Sequence, residues 1–459
     1  MKTFSNTEAT GLVTRLRDQL TRMVPEPGNH DGILRLSTGI DPVCPLDWLC
    51  HEKRHLRFYG STRDPLQAIE IGGLDAVKIC VWEDPLPYHS VIDHVQSILA
   101  LSSDDVRFYG GFRFSRTDAP DELWRPFGYA RFVVPRYELI HSKHQTLFSV
   151  HFTASEWERG DTDDLLDRIG AMSFAPCAWD DRFPPPVSRS ENPDYSGWER
   201  NIALALRDFQ AGTLEKIVLA RKADFRFDGS LDPIVLLHRL EAATPECFHF
   251  CYMPSSDLAF LGASPERLYL REGRQLLTEA VAGTRMRSKN PEEDRKLGEA
   301  LLNSDKDRRE HEFVRQGIRA TLAPYSKHFK MDEAPRLLKL ARGQHLYSGI
   351  QATLSPDIND GTLLDALHPT AALGGYPTHV ALRRIAELET FDRGWYAAPV
   401  GWISRQAAEF AVAIRSGIVR PHELSLFSGA GVVAGSTAES EWDEIELKIR
   451  DFIRLLTDT

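Results

Sequence analysis

The 459-residue chain is acidic, with 66 Asp and Glu residues against 55 Lys and Arg residues and a formal net charge of −11. General binding to nucleic acids or to anionic membranes requires a basic surface, so this charge argues against both classes of function. The length allows either several domains of ~150 residues or one large domain. An acidic protein that handles a small anion must build a local cationic pocket, so single Lys and Arg residues are of interest.

The cysteines and the N-terminus bear on the cellular compartment. Six cysteines are scattered through the chain without a CxxC pair: Cys44, Cys50, Cys80, Cys177, Cys247 and Cys251. This spacing favours reduced thiols in the cytoplasm over a zinc site or a disulfide framework. Residues 1–25 have the pattern of an amphipathic helix and lack the apolar core of a signal peptide. No apolar run approaches the ~18 residues of a membrane-spanning helix, so no membrane partner is expected.

The N-terminal part is predicted to consist mostly of strands. After the first helix, short apolar runs from 33 to about 155 alternate with polar residues, as in half-buried strands, and one helix is predicted near 92–101. Residues 174–197 are rich in Pro, Asp and Ser, which favours a linker.

The remainder of the chain is predicted to mix helices with antiparallel strands. A helix at 198–211 precedes a buried strand at 214–220, and 258–261 form another strand, followed by a hairpin that turns at Glu272-Gly273. Residues 291–323 are predicted to form one charged helix or a pair of helices. The later elements are strands around 335–354, a helix at 378–388, strands near 395–403 and 408–420, a glycine-rich strand at 424–435 and a closing helix at 438–457.

Two single charges lie in or beside apolar, strand-like runs. Glu266 follows the interruption at 262–265, where Pro265 cannot donate to a strand ladder. Taken alone, this glutamate is typical of a solvated charge on a hairpin. Lys216 lies in the middle of the predicted strand 214–220, where it is either an outward-facing residue or a buried lysine that can act as a base. The local pattern leaves both alternatives open.

Two further carboxylates lie on predicted helices. Glu310 belongs to the charged segment 291–323, and Glu444 belongs to the closing helix with Lys448 four residues later. In isolation, both are typical of solvated helix faces and surface ion pairs. Carboxylates from two separate helices also suit Mg²⁺, which takes one or two protein carboxylates and completes its shell with water and an anionic substrate.

The C-terminal third contains a cation within an apolar run, together with glycine clusters. Arg415 lies in the predicted strand 408–420, and a buried arginine needs a fixed anionic partner. The glycines at 374–375 and at 429, 431 and 435 offer either backbone N–H groups to a carboxylate or close packing of the sheet. No Gly-rich loop ends in Gly-Lys-Ser/Thr, so nucleotide hydrolysis has no support.

Taken together, these motifs resemble the chorismate-utilising enzymes, most closely the isochorismate synthases. The resemblance is strong and correctly ordered over 198–457, whereas 1–175 match only loosely, through features such as GGFRF at 110–114. It implies an α+β fold in which both segments form one large domain of two stacked antiparallel β-sheets surrounded by helices, with the active site in a cleft between the sheets. The motifs are EKIVLAR (215–221), 260–268, 278–284, Glu310-His311, QHL (344–346), LHP (367–369), 391–402, AIRS (413–416), 428–435 and EWDE (441–444) with Lys448.

The resemblance implies a role for each group. Lys216 would be the general base that deprotonates water for attack at C2 of chorismate, and Glu266 would be the general acid that protonates the departing C4 hydroxyl. Burial or the anionic substrate is expected to raise the pKa of Glu266. Glu310 and Glu444 would hold Mg²⁺ as the cofactor. The expected substrate-binding residues are Tyr396, Arg415, Lys448, Gly283, Thr284 and Gly429, with His345 as an orienting group.

The predicted function is therefore that of a Mg²⁺-dependent isochorismate synthase. Family members that add ammonia to chorismate carry an amide-bearing residue at the position of Lys216, so no obligatory glutaminase subunit is expected. The alternatives are a salicylate synthase, which also eliminates pyruvate, and a chorismate-binding protein without turnover. The motifs depart from the family pattern at Ala398 and at 371–373, which bears on substrate fit and not on the reaction class. They do not separate menaquinone, siderophore and salicylate metabolism.

Overall fold

The computed structural model describes residues 6–23, 32–53, 56–64, 68–115, 120–180, 182–341 and 343–457. The helices are α1 (Asn6–Arg22), α2 (Pro45–His51), α3 (Tyr88–Ala100), α4 (Ala154–Arg159), α5 (Thr162–Ile169), α6 (Tyr195–Gln210), α7 (Pro233–Ala243), α8 (Pro291–Leu302), α9 (Asp305–Leu322), α10 (Asp360–Leu367), α11 (Thr378–Leu388) and α12 (Ala438–Thr457). None of these described helices is long and apolar enough to cross a membrane.

The strands of the N-terminal part are β1 (Ile33–Ile40), β2 (Arg57–Ser61), β3 (Ile69–Leu74), β4 (Lys78–Trp82), β5 (Arg107–Phe112), β6 (Ala130–Val134), β7 (Tyr137–Ser142) and β8 (Thr146–Thr153). Those of the middle part are β9 (Pro186–Asn192), β10 (Lys216–Phe227), β11 (Phe248–Ser255), β12 (Leu258–Ser264), β13 (Arg267–Glu272) and β14 (Gln275–Met286). The last are β15 (Ser326–Met331), β16 (Arg336–Lys339), β17 (Gly343–Leu354), β18 (Gly375–Tyr376), β19 (Pro399–Ser404), β20 (Ala407–Val412), β21 (Ser416–Arg420) and β22 (Glu423–Val433).

These strands form two antiparallel sheets. The first is 12-stranded, in the order β1-β8-β7-β3-β2-β11-β12-β21-β22-β10-β18, with β9 paired to β10. The second is 10-stranded, in the order β15-β17-β14-β13-β20-β19-β5-β6-β4, with β16 paired to β17. Each sheet joins strands from both halves of the chain, because β2 pairs with β11 and β5 pairs with β19. The predicted α+β fold of two antiparallel sheets with surrounding helices is confirmed.

Aromatic side chains fill the space between the two sheets. The Tyr252 hydroxyl of β11 donates a hydrogen bond to the Gly110 carbonyl of β5 at 3.0 Å. Phe58 of β2 stacks on Tyr109 of β5 with 4.5 Å between the ring centroids. Aromatic rings bury large apolar areas, so these contacts hold the sheets in one fixed stacking.

The chain passes between the sheets at two adjacent points. β12 belongs to the first sheet and β13 to the second, so one crossing falls at Pro265-Glu266; the return crossing, from β20 to β21, falls at residues 413–415. The Val412 N–H donates to the Glu266 carbonyl at 3.0 Å, and the Ala263 N–H donates to the Arg415 carbonyl at 3.1 Å. The two crossings therefore lie side by side, and the predicted interruption at Pro265 is where the polypeptide changes sheet.

Most predicted elements are present. The charged segment 291–323 is a pair of helices, α8 and α9, which begin after the N-cap side chains of Asn290 and Ser304. The predicted hairpin is formed by β13 and β14, and Gly273 at its turn has a φ of 56°. The helices α2, α4, α5, α7 and α10 were not predicted. The first three are short, and α7 and α10 carry apolar residues on more than one face.

Three predictions are wrong. The predicted strand 408–420 is two strands in different sheets, and Arg415 lies between them. The predicted linker 174–197 contains β9, an edge strand whose mostly exposed, polar residues resemble a loop in composition. Cys50 and Cys177 form a disulfide across 127 residues, against the expectation of reduced thiols, because such a long-range approach leaves no local signal.

Gly394 occupies a position that excludes a side chain. Its φ is +53°, and a Cβ atom there would lie 1.8 Å from the buried Trp124 ring. We expect Gly394→Ala to lower the free energy of unfolding by about 3 kcal/mol, since overpacking adds to left-handed strain. Gly160→Ala is the matched control, because its φ is +78° and nothing lies within 4 Å. Chemical denaturation measures both, and equal losses would contradict the overlap with Trp124.

Candidate active site

An open cleft with a cavity volume of about 230 Å³ lies beside the two crossings. Its walls come from both crossings, from β10, β14, β17 and β22, and from the helices α9 and α12. All of the predicted site residues except Lys216 line it: Glu266, Gly283, Thr284, Glu310, His345, Tyr396, Arg415, Gly429, Glu444 and Lys448. The structure therefore brings together side chains that are far apart in the sequence.

Lys216 contacts the cleft lining through an ion pair with Glu310. It begins β10, is 1% exposed and places its Nζ atom 3.0 Å from Oε1 of Glu310 on α9. A Cβ atom at Gly431 of β22 would lie 2.8 Å from that Oε1 atom and 3.2 Å from Cε of Lys216, so the glycine leaves room for the pair. The outward-facing alternative for Lys216 is wrong.

Glu266 is buried at the first crossing and is only 7% exposed. Its N–H donates to Oγ of Ser264 at 3.2 Å. Burial, and next the negative charge of Glu279, raise the pKa of Glu266 to about 8, against the opposing charges of Lys216 and Arg63. This agrees with the expectation that burial raises its pKa, and the alternative of a solvated surface charge is wrong. At neutral pH, the carboxyl holds a proton that it can donate.

The second crossing supplies a cation for an anionic ligand. Arg415 has a φ of 50°, a conformation that costs energy for a residue other than glycine and is common at functional sites. Its Nη2 atom lies 3.2 Å from Nε2 of His345. Within the described ranges, no carboxylate forms an ion pair with Arg415. The anionic partner expected for this arginine is therefore left to a ligand of the cleft.

His345 orients this arginine as a neutral ring. Burial, followed by the charge of Arg415, lowers the pKa of His345 to about 3. Its Nδ1 atom lies 3.0 Å from Oγ1 of Thr284 and 3.3 Å from the carbonyl of Gly283. A ring that accepts from Arg415 at Nε2 carries its proton at Nδ1. Gly283, with a φ of 71°, forms the bulge in β14 that aims this carbonyl at His345.

The cleft lining also includes a phenol and a lysine. Tyr396 is 4% exposed and stacks on Phe427 with 5.6 Å between centroids. Burial raises its pKa, so the hydroxyl stays neutral and can donate a hydrogen bond. Lys448 donates to the Gly429 carbonyl at 2.9 Å and to Oε1 of Glu444 at 2.8 Å. The predicted Glu444–Lys448 pair exists, and it lies at the cleft.

Two carboxylates of the cleft were missed by the sequence analysis. Asp307 lies one turn before Glu310 on α9, and Glu441 lies one turn before Glu444 on α12; both line the cleft. The i, i+3 spacing of acidic residues on both helices was the signal that could have identified Asp307 and Glu441.

The pKa of Glu444 is lowered by its neighbour. Burial would raise this pKa, but the charge and hydrogen bond of Lys448 outweigh the effect of burial.

The carboxylates suit a hard cation that needs few protein ligands. Among the residues that the structure describes, no group of three or more His, Cys, Asp or Glu side chains forms a ready metal cluster. Mg²⁺ is commonly bound through one or two carboxylates, with water and substrate as the other ligands, whereas structural zinc takes four protein ligands. Glu310 and Glu444, which face one cleft from two helices, fit the first description.

Comparison with known proteins identifies the family. A family model described as a chorismate-binding enzyme matches residues 18–457. The chain belongs to the chorismate-binding enzyme family. Isochorismate synthase MenF of Haemophilus influenzae is 31% identical over 449 residues, which are 97% of this chain and 96% of that protein. The salicylate biosynthesis isochorismate synthase of Pseudomonas aeruginosa is 35% identical over 75% of this chain and 72% of its own length.

A solved structure extends this likeness within the chorismate-binding enzyme family. The menaquinone-specific isochorismate synthase MenF of Escherichia coli superposes with a TM-score of 0.85 and 28% identity, over 98% of this chain and 100% of that chain. The resemblance indicated by the motifs is confirmed, and it includes the N-terminal part that the motifs matched only loosely.

The departures from the family motifs differ in their relation to the cleft. Ala372 and Leu373 line it, whereas Ala398 is fully buried and is not part of its lining. An effect on ligand fit is therefore expected from residues 371–373 and not from Ala398.

Proposed function

We propose that this protein is an isochorismate synthase that converts chorismate to isochorismate. The proposal rests on two buried groups that suit opposite proton-transfer roles: Glu266, which lines the cleft, and Lys216, which contacts the cleft carboxylate Glu310. Arg415 and Lys448 add positive charge for a dianionic substrate, which an acidic protein would otherwise repel. The full-length matches to isochorismate synthases support the same reaction.

The reaction requires one proton to be taken and another to be given. To act as the base, Lys216 must first be in its neutral form; it then accepts a proton from water while the water oxygen forms a bond to C2 of the ring. The two ring double bonds shift, the C4–O bond breaks, and Glu266 donates its proton to the departing hydroxyl, which leaves as water. Lys216 has then gained one proton and Glu266 has lost one, so a single net proton transfer between them restores the enzyme.

The substrate carboxylates are held by the walls of the cleft. Arg415, supported by neutral His345, forms charge-assisted hydrogen bonds to one carboxylate, and the hydroxyl of Tyr396 donates to it. Holding the ring between Lys216 and Glu266 converts water addition and hydroxide loss into steps within one complex.

We also propose that Mg²⁺ is the cofactor and that Glu310 and Glu444 hold it. Bound Mg²⁺ supplies charge neutralisation for the ring carboxylate, which would otherwise approach several carboxylates of the cleft. Asp307 and Glu441, one turn earlier on the same helices, also line the cleft, where they are paired with Arg285 and Lys306.

Removal of the metal is expected to abolish turnover. Treatment with EDTA followed by desalting should eliminate isochorismate formation, and added Mg²⁺ should restore it. In calorimetry, Glu310→Gln or Glu444→Gln should weaken Mg²⁺ binding by about tenfold or more. Glu312→Gln is the matched control, because Glu312 lies on the same helix as Glu310 with half of its side chain exposed. Full activity after chelation would refute the metal requirement.

Product analysis tests the function itself. Purified protein with chorismate and Mg²⁺ is expected to yield isochorismate as the sole product by chromatography. Stoichiometric pyruvate and salicylate would instead identify a salicylate synthase. This alternative is relevant because the Pseudomonas relative is named for salicylate biosynthesis. An aminated product formed only with ammonia would identify an amination component. Calorimetric binding of chorismate without any turnover would identify a binding protein.

A further inference from the structure

A buried ion pair between Arg63 and Glu279, which no sequence motif indicates, flanks Glu266. Glu279 of β14 is 3% exposed, and each of its carboxylate oxygens lies 2.7 Å from a guanidinium nitrogen of Arg63. Oε1 of Glu279 also accepts a hydrogen bond from the Arg267 N–H at 2.7 Å. Arg63 donates to the Pro265 carbonyl as well. The pair therefore contacts the residue before Glu266 and the residue after it.

The pair joins three distant parts of the chain. Arg63 follows β2 in the N-terminal part, Glu279 lies in the second sheet, and Glu266 lies at the crossing between the sheets. Planar bidentate pairing of arginine with a carboxylate fixes direction as well as distance. Together with the hydrogen bonds that Glu266 makes to Ser264 and Val412, it leaves the crossing peptide little freedom to rotate.

The same pair determines the electrostatic surroundings of Glu266. The carboxylate of Glu279 opposes loss of the Glu266 proton, whereas Arg63 and Lys216 favour it. The neighbouring Arg267 is itself paired with Glu409 of β20, at 3.0 Å. Arg63 and Glu279 carry opposite charges, so removing one of them leaves the other unbalanced beside the acid.

We propose that Arg63 and Glu279 are positioning residues for the catalytic acid. The pair holds the peptide around Glu266 so that its carboxyl group faces the substrate, and its balanced charge keeps the proton of that group available at neutral pH. This inference rests on the proposed function, in which Glu266 protonates the leaving hydroxyl. It also gives the N-terminal part an indirect role in the chemistry, through the contacts of Arg63 beside Glu266.

Opposite shifts of a pH profile test the proposal. Glu279→Gln leaves the charge of Arg63 unbalanced, so the alkaline limb of the kcat–pH profile should move to lower pH by about one unit. Arg63→Gln leaves the charge of Glu279 unbalanced, so the limb should move to higher pH. The double variant should return the limb close to its wild-type position with a lowered kcat, and KM for chorismate should change less than kcat in all three.

Two further variants control for folding and for burial. Arg63→Lys keeps the charge but loses the bidentate geometry, so we expect a lowered kcat with the limb at its wild-type position; an unchanged kcat would count against positioning. Glu138→Gln disrupts another buried pair, with Arg35 at 2.9 Å, which does not line the cleft. This control should leave the limb unmoved.

Infrared difference spectroscopy separates the possible failures. The band of the protonated Glu266 carboxyl, assigned by its loss in Glu266→Gln, can be titrated without turnover and should show the same opposite shifts. The proposal is overturned if the titration of this band does not shift, or if it shifts in the same direction in both single variants. A wild-type protein that does not convert chorismate refutes the proposed function instead, while the infrared titration still measures the effect of the pair.

Discussion

Lys216→Ala is expected to lower kcat for chorismate by about 10³-fold while the protein still binds the substrate. The reason is that the variant lacks the group that takes a proton from water, and a positioned general base contributes rate factors of this order. Isothermal calorimetry with chorismate and Mg²⁺ measures the retained binding, and chromatography of isochorismate measures the lost rate.

Two further variants distinguish the loss of the base from the loss of its ion pair with Glu310. Lys216→Arg keeps a positive charge beside Glu310, but a guanidinium does not lose its proton in proteins, so the same loss of rate is expected. Lys222→Ala removes a partly exposed lysine of the same strand, paired with Asp224 at 3.1 Å, and should retain near-wild-type turnover. Wild-type-like turnover by Lys216→Ala would refute the assignment of Lys216 as the base.

Glu266→Gln is expected to lower kcat by about 10²- to 10⁴-fold, because the amide keeps the shape of the side chain but cannot donate the proton that the leaving hydroxyl needs. The pH dependence of the wild-type enzyme follows from the same group. The protonated form of Glu266 is the active one, so turnover should fall as the pH rises through about 8, the raised pKa of this carboxyl. Steady-state kinetics from pH 6 to 10 measures this limb.

The raised pKa also affects stability, with a defined sign. Between the ordinary value of 4.5 and the folded value of about 8, the folded protein binds a proton at Glu266 that the unfolded chain releases. This contribution to the free energy of unfolding is therefore complete below about pH 4.5 and is lost as the pH rises towards 8. Glu266→Gln should flatten that slope, whereas Glu272→Gln, at the exposed turn of the same hairpin, should not. Equal slopes in all three proteins would contradict a buried, protonated Glu266.

The sequence by itself determined the elements whose signal is local. The all-apolar run of β12, the helical character of the segment that forms α8 and α9, and the closing helix α12 were predicted because periodicity is a property of neighbouring residues. The ordered motifs also sufficed to indicate the family and to name ten of the residues that line the cleft.

The tertiary structure alone decided how those residues meet. The crossing at Arg415 was hidden because it joins two buried strands of similar apolar composition, and the Lys216–Glu310 pair spans 94 residues. The Arg63–Glu279 pair spans 216 residues, so no window of sequence shows that it flanks Glu266. Whether Glu266 is a solvated charge or a protonated acid depends on burial and on charges brought in by other strands. The sequence determines that a carboxyl group is present at position 266, and the packing of the two sheets buries it and raises its pKa.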